Sequence, residues 1–361
     1  MGNLVELPEL PANALPRTEE LPTCPICDSS ASKDLGSCRD RLHGLPGEFR
    51  LVRCAECSLV RLSPRPVASE LHRYYPSDGY YSYRVPETLS SGSRLAALRE
   101  RVRDTVLDAM GYPVRPLATW QRLVQPAAVR LVRRRALYTY EGFPRYRAGG
   151  RALDIGCGSG IYLSFLRRHG WEVAGVDLSP AAAEAARTGF GIEVFPGPVE
   201  EAPFAPESFD HIQMSHVIEH LPDPAATMKH VARLLRPGGT LYVETPNLES
   251  FGRRTCGPYW FSWDTPRHLF LFSAPTLRRV LEPAGFRVTR MSTYMFDGLF
   301  HLSETYRREE EEGYQRKGLP DTARRRAAAA TVRAFAASLS HRVNPLDGDL
   351  LACWAAKATA P

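Results

Sequence analysis

Two cysteine pairs, Cys24-Pro-Ile-Cys27 and Cys54-Ala-Glu-Cys57, have the spacing at which one tight turn aims two thiolates at one ion. The pairs are separated by 26 residues, longer than the usual ribbon spacing but enough for a hairpin. Four thiolates form a closed tetrahedral set that suits Zn2+ and leaves no position open to a substrate, so the expected role of Cys24, Cys27, Cys54 and Cys57 is structural. Disulfides or free thiols are the alternative, and disulfides conflict with a reducing compartment. Cys38 lies between the pairs and is not expected to ligate, while Cys157, Cys256 and Cys353 read as small buried residues.

A second group of residues could hold a nucleoside. Gly156, Gly158 and Gly160 follow a short apolar run, and their lack of side chains allows positive φ angles and close approach of a ligand to the backbone. The dinucleotide fingerprint GxGxxG would need glycine at position 161, where the chain has Ile161. Asp154 precedes the turn, and Asp177 ends the next apolar run, placed to accept both hydroxyls of a ribose.

These residues require a frame of strands and helices. Strands are expected at Arg151 to Ile155, Trp171 to Val176, about Ile192 to Phe195, Phe209 to Met214 and Thr240 to Glu244, with helices from Ile161 and Pro180 between them. That alternation implies a parallel sheet with ligands at the carboxyl ends of its strands. The expected organisation is a zinc-binding module over 20–66, a tyrosine-rich linker with helices over 67–148, and a catalytic domain over 149–361. Tyr74, Tyr75, Tyr80, Tyr81 and Tyr83 in the linker either form a lid over a substrate or pack the module against the domain.

The runs ALDIGCGSG, GVDLS, EEAPFAPESFD, HVIEHLPDP and LLRPGGTLYVETPN resemble, in order, the motifs of class I S-adenosylmethionine-dependent methyltransferases. With the cysteine module in front, the chain resembles the zinc-containing methyltransferases of bacterial sugar and natural-product pathways. The resemblance implies an α/β fold: a Rossmann-like seven-stranded methyltransferase core with a small N-terminal four-cysteine zinc module. It places a sixth strand over Gly285 to Tyr294, a seventh, antiparallel strand over Asp349 to Lys357, and a helical insertion at about 297–345 before that last strand. The implied cofactors are S-adenosyl-L-methionine and structural Zn2+. Gly156, Gly158 and Gly160 would face the methionine and ribose parts, Asp154 would order the loop or hold the amino group, and Asp177 would hold the ribose. Pro198 stands where the family usually has an acid, which leaves adenine recognition to Val199 and Glu200 or to backbone groups. Met214 and Ser215 would line the sulfonium side.

Methyl transfer asks for alignment, exclusion of water and often a base for the acceptor's proton. His216, Glu219 and His220 follow the fourth strand, where the reaction would occur, and His216 and His220 share a face if a helix has begun there. Glu219 and His220 could instead be structural, holding the helix start. His268 follows the aromatic run Tyr259, Trp260, Phe261 and Trp263, a candidate substrate wall, and Arg267 could pair with an anionic acceptor such as a nucleotide diphosphate.

The bulk composition restricts the alternatives. The net charge of +6 rests almost wholly on arginine, since lysine occurs at only four positions, and the cysteine region carries no dense basic stripe. The partner is therefore expected to be a small-molecule acceptor (a sugar, nucleotide-sugar or other secondary metabolite) with nucleic acid disfavoured; an RNA methyltransferase whose zinc module reads nucleic acid is the alternative. No apolar run is long enough to span a bilayer and no secretory leader is visible, so the expected location is cytoplasmic.

Overall fold

The computed structural model describes residues 15–75, 94–114, 142–296, 298–313 and 344–358, with a few isolated positions between them. Tyr80, Tyr81, Tyr83, the arginine clusters 133–135 and 324–326 and most of the expected insertion lie outside the described residues.

The C-terminal part is built on strands β6 (Arg151–Ile155), β7 (Glu172–Asp177), β8 (Val194–Pro196), β9 (Phe209–Ser215), β10 (Leu235–Pro246), β12 (Phe286–Tyr294) and β13 (Leu350–Lys357). They form one seven-stranded sheet in the order β12-β13-β10-β9-β6-β7-β8. The pairs β6–β7, β7–β8, β6–β9 and β9–β10 are parallel, and β13 runs antiparallel to both β10 and β12. Helices cover the sheet, so β9 is buried along nearly its whole length and reads as a continuous rather than alternating apolar strand. The helix Pro180–Phe190 begins with proline in its first turn, and the Ser179 hydroxyl caps it by accepting the Ala182 N–H. Pro224–Leu234 repeats the device with Asp223. Where a fifth strand was expected from Thr240, β10 starts at Leu235 and carries Arg236-Pro-Gly-Gly239 as an irregularity in its register with β9, Gly238 supplying a φ of +75°.

The N-terminal part carries β1 (Thr18–Glu19), β2 (Ser32–Cys38), β3 (Phe49–Cys54), β4 (Val60–Leu62) and β5 (Arg65–Pro66). Strands β2, β3 and β4 are antiparallel neighbours, and the fourth strand of that sheet, β11 (Phe270–Leu271), comes from the C-terminal part. One buried apolar cluster includes Cys24, Phe49 and Leu59 together with Leu153, Phe209 and Leu241. The cysteine module is thus part of the main core. In the segment 297–345, helix Gly298–Glu311 is present and places Phe300 and Leu302 in the interior. Among the described residues no helix is long and apolar enough to cross a membrane.

Candidate active site

The turn after β6 has the geometry that the glycine spacing suggested. Gly156, Gly158 and Gly160 sit at φ of +73°, +51° and +77°, a region that side-chain-bearing residues avoid. The Asp177 carboxylate at the end of β7 ties this turn down: Oδ2 accepts the Gly158 N–H at 2.9 Å and Oδ1 accepts the Ser179 N–H at 2.9 Å. Asp154 is buried in β6 beneath the turn, and burial, reinforced by the Asp177 charge, drives its pKa well above the usual carboxylate range. Gly156 also lies against the next turn of the site, since a Cβ there would come within 2.4 Å of Val217 Cγ2.

Two other expected cofactor contacts differ from the sequence reading. Met214 is fully buried within the core and Val199 is 3% exposed, so neither offers a side-chain surface to a ligand. Ser215, one residue beyond Met214, is half-buried and donates its hydroxyl proton to Glu244 Oε1 at 3.2 Å. Glu200 accepts a hydrogen bond from the Thr227 hydroxyl of the helix after it.

Beyond β9 the chain does not enter an α-helix. His216 adopts a φ of +54°, and a single 3-10 turn, Ile218–His220, follows before the helix at Pro224. The i, i+4 relation expected between His216 and His220 is therefore lost. Instead the His216 ring sits between two carboxylates, with Nδ1 at 3.3 Å from Glu219 Oε1 and Nε2 at 3.3 Å from Glu244 Oε1. Burial works against a charged ring here, but the two carboxylates outweigh it and push the His216 pKa up to about 10. A ring that keeps its proton across the neutral range does not act as a general base. The same contact holds Glu219 down to about 2 in spite of its burial.

His220 has the opposite state. Burial, assisted by His268, lowers its pKa to about 4, so it is a neutral imidazole at neutral pH. Its Nδ1 lies 2.9 Å from the Arg267 carbonyl and 2.8 Å from the Tyr75 hydroxyl. A carbonyl only accepts, so Nδ1 carries the proton, shared between the two oxygens, and Nε2 is left as the acceptor nitrogen. His268 Nδ1 lies 2.8 Å from the Ser262 carbonyl, and its Nε2 lies 3.8 Å from Asp264 Oδ2 and 4.0 Å from Glu219 Oε1. Glu219, His220 and His268 come together, each offering one ligand atom, all within 4.8 Å of one another. Tyr75, expected only as a lid or packing residue, joins this group, while its neighbour Tyr74 is 2% exposed and packs edge-on against Phe49. No sequence signal distinguishes the two tyrosines.

Arg267 is not placed to meet an anionic acceptor. Its side chain is fully buried, and its guanidinium donates to Asp40, Asp264 and the Tyr74 carbonyl. Trp260 in the aromatic run is likewise core, 1% exposed.

The four cysteines also converge. Cys24 Sγ lies 3.4 Å from Cys57 Sγ, and Cys27 Sγ 3.5 Å from Cys54 Sγ. Sulfurs at about 2.3 Å from a shared tetrahedral ion stand roughly 3.8 Å apart, whereas a disulfide requires about 2.05 Å. The residues present fit zinc. Cys38 stands outside the cluster, and Cys157, Cys256 and Cys353 are buried.

Residues 120–291 match the family model described as a methyltransferase domain. A ubiquinone biosynthesis O-methyltransferase of Xanthomonas euvesicatoria pv. vesicatoria is 38% identical over 106 residues, which is 28% of this chain and 44% of that protein. The protein of the same name from Xylella fastidiosa is 38% identical over 106 residues, 28% of this chain and 43% of its own. The chain thus spans less than half the length of the curated relatives it matches. Among solved structures, a SAM-dependent methyltransferase from Archaeoglobus fulgidus aligns over 66% of this chain and 100% of its own, at 20% identity and a TM-score of 0.42.

Proposed function

We propose that the methyltransferase domain of this chain moves the methyl group of S-adenosylmethionine onto a small-molecule acceptor held beside the turn His216–His220. The observation that carries this reading is the left-handed glycine turn anchored by Asp177, in direct contact with the segment that bears Glu219 and His220. Gly156, Gly158 and Gly160 admit the cofactor to the backbone, Asp177 takes the ribose, and Asp154 keeps the loop in place. Ser215 and backbone groups near Val199, rather than the Met214 side chain, border the cofactor.

On the acceptor side His220 Nε2, the His268 ring and the Glu219 carboxylate share one task, to make the acceptor atom a better nucleophile. His216 serves as a fixed cation that holds Glu219 and Glu244 ionised and in position. The relatives' names point to oxygen as the acceptor atom, and a sugar, nucleotide-sugar or other secondary metabolite is the class proposed. The four cysteines hold structural Zn2+.

The test is to incubate zinc-loaded protein with methyl-labelled S-adenosylmethionine and fractionated metabolites and to identify the labelled product. Label transfer that falls by at least about tenfold in His220→Gln supports the reading. Calorimetry that detects no binding of S-adenosylmethionine or its demethylated product to folded protein rejects it.

A further inference from the structure

We propose that a cavity on one face of the cysteine module's sheet binds a small monoanionic carboxylate, with the buried Arg61 guanidinium as its anchor. The binding does not rest on the methyl-transfer reading above.

The register of the sheet sets up the site. Asp34, Val52, Arg61 and Phe270 are cross-strand partners in one row across β2, β3, β4 and β11, so their side chains leave the sheet on the same face. Leu51 and Leu62, paired in the next row, leave on the other face and join the main core. The Arg61 face borders a cavity of about 270 Å3, near the lower end of the range for small-molecule clefts, roughly 300–1,000 Å3. Glu20, Ser30, Ser32, Arg50 and Arg61 contribute to its wall.

The charge on Arg61 is the observation that points to a ligand. Among the described residues Arg61, Arg65 and Arg267 are the buried arginines, and two of them have carboxylate partners. Arg267 meets Asp40 and Asp264, and Arg65 meets Glu19. Arg61 is 2% exposed and forms no ion pair with any described residue. Its Nη2 donates to the Leu21 carbonyl at 3.2 Å and to the Ser32 hydroxyl at 3.0 Å, both neutral groups. Nε and Nη1 are buried and donate to no described residue. An uncompensated charge with orphaned donors is costly in an interior, and a carboxylate would supply both the opposite charge and the acceptors.

The acids already in the wall do not serve that purpose. Asp34 is held by Arg50 and by the Gly36 N–H, and Glu20 Oε2 accepts the Ser63 hydroxyl at 2.7 Å. Ser63 also accepts the Leu21 N–H at 2.9 Å, which fixes this stretch of chain beside the cavity. Releasing the Ser32 hydroxyl lets the Arg61 guanidinium turn two nitrogens toward the cavity. That fork holds a carboxylate by two parallel hydrogen bonds. A dianion such as phosphate would meet the Glu20 and Asp34 charges as well, so the wall selects a ligand with a single negative charge.

The test titrates the full, zinc-loaded chain with sodium lactate by calorimetry, with sodium chloride holding the ionic strength constant. The expected result is saturable binding of about one lactate per chain and a Tm that rises with lactate concentration. Arg61→Met keeps the bulk of the side chain, removes its charge and should weaken binding by at least about tenfold. Arg61→Lys keeps the charge without the fork, so its affinity should fall between those of wild type and Arg61→Met. Zinc content and S-adenosylmethionine binding should be unchanged in both variants, since Arg61 bonds to no residue of either site. If Arg61→Met fails to fold, Arg61→Lys carries the comparison. No saturable lactate binding by wild type overturns the proposal, as does equal binding by wild type and either folded variant. Phosphate binding more tightly than lactate at the same pH overturns the choice of a monoanionic carboxylate. Lactate bound by a chain that takes up no S-adenosylmethionine would retain this site and reject the methyl-transfer reading; the reverse pattern would do the opposite.

Discussion

At the scale of single residues, the glycine turn and its anchoring acid make the sharpest demands. Gly156→Ala asks a side chain to adopt a φ of +73° and to stand 2.4 Å from Val217. We expect S-adenosylmethionine affinity to fall by at least about tenfold, by strain in the turn. Adding Val217→Ala removes the clash but not the strain, so calorimetry on the double variant should show partial recovery; full recovery would mean that the φ angle is irrelevant. Asp177→Asn removes the charge from a group that accepts two backbone N–H bonds. A charge-assisted hydrogen bond contributes roughly 1.5–3 kcal/mol, so thermal stability should fall as the turn loosens, and cofactor affinity should fall with it by about 10- to 100-fold. Affinity within twofold of wild type would remove Asp177 from the binding site. The glycines and Asp177 were legible because their requirement is local: a backbone angle and a strand end. Met214 was not. A strand buried on both faces has no polar–apolar alternation to say which side chain faces the ligand, and only the packing puts Met214 in the core.

At the scale of elements, order and direction were legible, while irregularities were not. The apolar runs marked five of the seven strands of the large sheet and the family resemblance implied the other two, yet β10 extends through Pro237 and two glycines, which sequence patterns read as a loop. The turn after β9 shows the same limit. The i, i+4 histidine spacing suggested a helix, and the left-handed His216 prevents one. The join of β10 to β13 gives an element-scale prediction. The Asn247 amide donates to the Leu346 and Gly348 carbonyls at 3.0 and 2.7 Å, holding the segment that leads into β13. Asn247→Ala leaves both acceptors without that donor and should cost about 1–3 kcal/mol, read as a lower midpoint in urea. An unchanged midpoint would show that β13 is held by its ladder with β10 and β12 alone.

At the scale of the whole molecule, the sequence reading of a module, a linker and a domain meets a more tightly joined structure. The cysteine module shares a sheet with the C-terminal part through β4 and β11, and Leu62 donates its N–H to the Leu269 carbonyl. Thr265 donates its hydroxyl proton to the Arg39 carbonyl, and Arg65 donates to the Pro222 carbonyl. Asp40, between the cysteine pairs, accepts from Arg267, whose own carbonyl holds His220. These partners are some 200 residues apart along the chain, and nothing in local composition links them. The physical consequence is that a zinc ion held by the four cysteines, as proposed, would support more than its own turns. Releasing that zinc with a chelator would remove folding energy from a sheet that the C-terminal part completes. Heating the metal-free protein should therefore give one transition, shifted to lower temperature, instead of an early module step followed by an unchanged main step. Asp40→Asn should move it in the same direction without touching a cysteine, because breaking a buried ion pair by removing one partner's charge costs about 3–5 kcal/mol. Calorimetry resolving two independent transitions in the metal-free protein, the second at the wild-type temperature, would show that the shared sheet does not couple the two parts and that His220 keeps its place without the module.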